Sequence, residues 1–111
     1  MERNVCETDW KHFRWLHPIA LERFSKGVIA EVAALAADAS KAAHARFLAL
    51  TELLEQRQVE ASEAFDDQRR SSAFVQIARI RVLGTITDEE FARFAPETQE
   101  AVAIFLELWG S

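Results

Sequence analysis

Three groups of side chains in this sequence have the types that do chemistry. Cys6, His12 and His17 offer a thiol and two imidazoles, the donors a zinc ion takes. Asp88, Glu89 and Glu90 are three successive carboxylates, and Arg69, Arg70, Arg79 and Arg81 are four guanidiniums of the kind that meet phosphates. Spacing decides what each group can do. Zinc sites pair their ligands tightly, as C-x2-C or H-x3-H, whereas these three donors are separated by five and then four residues with no fourth nearby. His44 is the one other histidine, on the polar side of its helix beside Ser40. No metal ligand set and no cofactor is expected.

The carboxylates follow Thr87, which makes residues 87–90 a capping box: the hydroxyl accepts from the third residue of the helix and Glu90 reaches back to the first backbone N–H. Three acids in a first turn also suit the positive end of the helix dipole. Helix capping is therefore their expected role, not catalysis. Residues 84–91, with a glycine, a capping threonine and an acidic first turn, resemble the turn of short bacterial oligomerisation hairpins of the SHOCT type. That likeness spans eight residues, any capped helical hairpin shares it, and Pro96 departs from it by cutting the second helix short. It does not assign a family.

The four arginines lead into Gly84 and a capped helix, so residues 69–95 can be read as a helix-turn-helix entering DNA. Its recognition helix would begin with three acids and carry one arginine, and phosphates repel such an end. Other enzymatic equipment is absent: no glycine-rich phosphate loop, no nucleophile elbow, and three glycines in all. The chain is expected not to be an enzyme.

Aromatics are the remaining candidates. Trp10, Phe13, Trp15 and Leu16 crowd one short segment, suited to anchoring a partner or to closing the end of the domain's own core. Further along, Phe47, Leu50, Leu54, Ala61 and Phe65, with Gln58 between, form a stripe at helical spacing. We take Trp10, Phe13, Trp15, Phe47, Leu50, Leu54 and Phe65 as candidate interface residues.

The elements that position these groups are helices. The 111 residues are 50% apolar and 28% charged, with 19 alanines, three glycines, two prolines and no tyrosine. A first helix is expected over residues 8–16, capped by Thr8 or Asp9, with a bend at His17 because Pro18 disfavours helical geometry before it and suits the first turn of a new helix. From Leu21 to Leu54 apolar residues recur every three or four positions, broken only by polar residues near 37–40. A small-residue face of Ala30, Ala33, Ala34 and Ala37 implies a second packed neighbour there. The polar run 66–72 predicts a turn or an exposed waist, Asp66 and Arg70 being spaced to pair if the helix continues. Residues 72–83 read as helix with Gly84 as its C-cap. Phe91 and Phe94 belong to a short helix that Pro96 stops, and a last helix runs from Pro96 to Gly110.

The fold class expected is all-α: a helical bundle with a long central helical hairpin and two short C-terminal helices, in one domain with an aromatic segment 1–17, long helices 18–83 and an acidic hairpin 84–111. The net charge of −5 sits in that last part, where Arg93 faces six acids. No basic face balances it, which disfavours nucleic acid. No stretch reaches the roughly 20 apolar residues of a membrane span. A single cysteine and an N-terminal run without the basic start and apolar middle of a secretory signal lead us to expect a cytoplasmic protein, and arginine-rich, alanine-rich usage fits a bacterial source. Helices this long and two-faced exceed what so short a chain can cover, so a homo-oligomer is expected. The functional expectation is a non-enzymatic, self-associating interaction or assembly module. The alternatives are a small DNA-binding protein using Arg69, Arg70, Arg79 and Arg81, and a bundle that holds an apolar ligand.

Overall fold

The computed structural model describes residues 4–110, with five α-helices and no strand among them. In chain order these are α1 (Glu7–Ala36), α2 (Ala43–Phe65), α3 (Ala73–Val82), α4 (Asp88–Ala92) and α5 (Pro96–Gly110). The all-α class, the long hairpin and the shorter C-terminal helices are as expected. The start of the 1–17 segment and the final residue lie outside the described residues.

α1 corrects two expectations. It is one helix of 30 residues, and the bend placed at His17 does not occur. Proline inside a helix loses one backbone hydrogen bond and generally costs about 3 kcal/mol. Here Pro18 is exposed, while Leu16 and Ala20 on either side are fully buried, so the packed face carries the helix through. His17 is held as well, its Nε2 donating to the Phe65 carbonyl at 2.8 Å. The N-cap is neither Thr8 nor Asp9 but Cys6, which makes no side-chain capping bond. Asp9 is almost wholly buried and serves another helix: its two carboxylate oxygens accept from the Ala95 backbone N–H, each at 3.1 Å, and one also accepts from the Thr98 hydroxyl. The first turn of α5 is thus capped from a residue 86 positions earlier, by a charge-assisted bond at the positive end of the helix.

Three further side chains of α1 fasten other parts of the chain. His12 Nε2 donates to the Glu90 carbonyl in α4 at 2.8 Å, and its ring lies 4.6 Å from that of Phe94. His17 satisfies the end of α2. Arg23 reaches the Thr85 carbonyl at 3.0 Å and both carboxylate oxygens of Glu90 at 2.7 and 3.1 Å. Glu90 is also the back-bonding residue of the capping box, which forms as the spacing predicts. The Arg23 guanidinium, and after it the Thr87 N–H, hold the Glu90 carboxyl down at about 2.

α3 ends in a Schellman motif. Gly84, at φ 71°, supplies the left-handed residue, its N–H bonds to the Arg81 carbonyl and the Thr85 N–H to that of Ile80. Between α2 and α3 the polar run is a turn followed by one 3-10 turn, not a waist of a longer helix. Asp67 there has φ 57°, and Gln76 closes the loop by donating to the Asp66 carbonyl at 2.7 Å. Arg70 pairs with Glu7, not with Asp66.

The core gathers at one end. Phe13, Leu16 and Ala20 of α1, Ala64 and Phe65 of α2, Ile77 and Ile80 of α3, Ile86, Phe94 and Val102 are buried together. We call this end the head. The rest of α1 and α2 projects from it as a two-helix arm, which gives the molecule its 54 × 24 × 24 Å dimensions. The expected second neighbour for the small-residue face is missing: Ala30, Ala33 and Ala34 face solvent, because no third helix extends along the arm.

Candidate functional site

The arm begins where Phe24 of α1 meets Phe65 of α2, ring centres 5.7 Å apart. It closes at a turn over residues 37–42. Asp38 accepts there from the backbone and hydroxyl of Ser40, bonds that lower its pKa. Arg46 caps the end of α1 by donating to the Ala36 carbonyl at 2.6 Å. Between these ends the two faces of the arm differ in kind.

One face is charged. Arg57 lies between Glu31, at 2.9 Å, and Glu60, at 3.0 Å. The hydrogen bond with Glu31 raises the Arg57 pKa and lowers that of Glu31. A cleft of about 470 Å³ opens on this side, where Arg23, Gly27 and Glu31 meet Glu60 and the Val82, Leu83 and Gly84 turn of the head.

The other face is mostly apolar along the arm, with Arg57, tied to Glu31 and Glu60, at its edge. Ser25, Ile29, Val32, Ala33 and Ala36 recur at three- and four-residue steps on α1, as do Phe47, Leu50, Thr51, Leu54, Gln58 and Ala61 on α2. Ile29 and Phe47 are 68% and 63% exposed, and Leu54 is exposed as well. A groove of about 220 Å³ runs between the helices on this side, lined by Phe24, Ser25, Val28, Ile29, Leu54, Gln58 and Ala61 with Arg57. A half-buried apolar stripe is what a helix shows when it is waiting for a neighbour.

The seven candidate interface residues divide between these regions. Phe47, Leu50 and Leu54 share the apolar face. Phe13 and Phe65 lie inside the head core, so they are not exposed in this structure to meet a partner. Trp10 is half-buried against Phe13 with Arg70 over its ring, and closes the end of the core. Trp15 is exposed and stands apart, with the ring of His12 stacked beside it and the guanidinium of Arg93 over its own ring. Ile29, the most exposed apolar residue of the arm, was not among the candidates. It sits off the Leu21, Phe24, Val28, Val32, Leu35 stripe, beside the alanine face, and a lone isoleucine among alanines was the available signal.

The other candidates are drawn into ion pairs and caps. Arg69 pairs with Asp67, Arg70 with Glu7, Arg79 with Glu63 and Arg81 with Asp88, and the last three also lie over the rings of Trp10, Trp109 and Phe91. Each of the four arginines is thus matched by a carboxylate of its own chain. Cys6 is exposed and both neighbouring histidines are bonded to carbonyl oxygens; among the described residues no three His, Cys, Asp or Glu side chains are grouped to hold a metal ion. No helix of the described residues is long and apolar enough to cross a membrane. No family model, curated protein or solved structure matches the chain.

Proposed function

We propose that this chain is a non-enzymatic assembly module whose arm pairs, through its apolar face, with the arm of a second copy. The observation that carries the reading is that face: apolar side chains at helical spacing on both helices, left open, with the one cation that borders the groove, Arg57, already paired with Glu31 and Glu60. An identical copy therefore meets little unpaired like charge there, and two arms laid face to face make a four-helix bundle.

The size is that of a small interface. The two helices run side by side over Phe24 to Ala36, about 20 Å at roughly 1.5 Å per residue, and α2 extends about 15 Å further. At about 20 Å wide for two helices and about 10 Å for one, each copy contributes on the order of 550 Å², below the roughly 800 Å² per partner of a standard stable interface and fitting a pair that parts on dilution. The exposed Cys6 and the absence of any internal disulfide fit a reducing compartment such as the cytoplasm.

Light scattering over a wide concentration range tests the reading. We expect the mass of two chains at high concentration, falling towards one on dilution. Ile29→Lys with Leu54→Lys should give one chain throughout at unchanged helical circular dichroism, because both positions are exposed within the chain itself. A wild-type mass of one chain at every concentration overturns the proposal.

A further inference from the structure

Resting on that reading, we infer that the two arms pair antiparallel and that Phe47 of each copy seats in the groove of the other. The apolar face carries both a knob and a hole. Phe47 stands 63% exposed towards the tip, and the groove among Phe24, Val28, Ile29, Leu54, Gln58 and Ala61 lies towards the base. The groove holds about 220 Å³, and an apolar cavity of roughly 150 Å³ is enough for a benzene ring. Knob and hole share one arc of α2, since Phe47, Leu54, Gln58 and Ala61 follow one another by seven, four and three residues. Phe47 cannot reach the groove of its own chain, because eleven residues of helix, about 16 Å, separate it from Gln58. A second copy turned end for end brings each knob to a hole, and one two-fold axis satisfies both contacts.

Access favours the same orientation. The Val82, Leu83 and Gly84 turn of the head lines the charged cleft and not the groove. Antiparallel pairing sets tip against base; parallel pairing sets tip against tip and leaves Phe47 away from the other copy's groove.

In the antiparallel pair the axis crosses α2 midway between Phe47 and Gln58, beside Thr51. Single cysteines on a Cys6→Ser background read this directly. Under mild oxidation, at a concentration where the background protein is dimeric, Thr51→Cys should cross-link to itself and Gln58→Cys should not, its two copies lying about 16 Å apart along the helix. Equal cross-linking at both positions, at neither, or chiefly at Gln58→Cys overturns the orientation while leaving the assembly intact. A background protein that never dimerises overturns the assembly itself. The knob is tested separately: Phe47→Ala should weaken self-association at least about tenfold, and Leu48→Ala, exposed but off the arc, less than about twofold. Equal losses from the two, at unchanged helicity, overturn the role of Phe47.

Discussion

α1 and α2 run side by side through two settings. In the head, Phe13, Leu16 and Ala20 are closed over by α3, α4 and α5 and lose essentially all contact with water. In the arm, the same two helices have only each other, and Ile29, Phe47, Leu48, Leu54 and Val59 stay exposed. The apolar spacing along α1 scarcely changes between them. Burial is set by how far the other elements reach, and the 28 described residues after α3 cover only one end of a hairpin this long. The polar ties divide the same way. Asp9, His12, His17 and Arg23 each hold a distant backbone group in the head, whereas the arm relies on the half-buried Arg57 with Glu31 and Glu60 and on Arg46.

The contrast can be broken most sharply by truncating one apolar side chain in each region. Phe13→Ala should cost the chain about 3–5 kcal/mol in urea denaturation, because it leaves a cavity in a closed core. Val59→Ala, at 57% exposure, should cost less than about 0.5 kcal/mol. Similar losses from both would mean that the arm is as well sheltered as the head. Next in size, Asp9→Ala strips the Ala95 N–H and the Thr98 hydroxyl of their acceptor and should cost about 2 kcal/mol, with Asp9→Asn recovering part of it. The measurement is the denaturation midpoint, and an unchanged midpoint would show that α5 does not need its cap from α1.

The smallest effect concerns Glu90. Its pKa in the folded chain is about 2, below the ordinary 4.5, so its contribution is complete above the ordinary value and is lost as pH falls through the interval down to about 2. Since Arg23 is partly exposed, the contribution is about 1 kcal/mol after screening. Glu90→Gln should flatten the stability curve between pH 4.5 and 2 by that amount. A variant curve parallel to wild type would remove the Arg23 contact as a fastening of the head.

Much of this architecture was legible in the sequence because its signals are local. Thr87 with Glu90, Gly84 after α3, Pro96 at the start of α5 and the polar break after Ala36 each act within a turn or two of themselves. What the sequence hid was tertiary. Pro18 reads as a bend until the buried Leu16 and Ala20 are seen to override it. Asp9 reads as a cap for its own helix, because nothing local reveals that Ala95 and Thr98 will lie beside it. Phe47 and Phe65 share one stripe and one periodicity, yet only Phe65 falls within reach of the head. The apolar face was half visible, on the α2 side. Ile29 escaped because alanines conceal an apolar face that has little bulk.

The four fastenings of α1 also impose an order on synthesis. They join residues 48 to 89 positions apart, whereas Arg57 and Glu31 are 26 apart. On a ribosome the arm can zip as soon as α2 emerges, but the first half of α1 must wait, with Phe13 and Leu16 still wet, until Thr98 has left the tunnel. The nascent chain therefore presents an unfinished greasy helix from the emergence of α1 until Thr98 follows it.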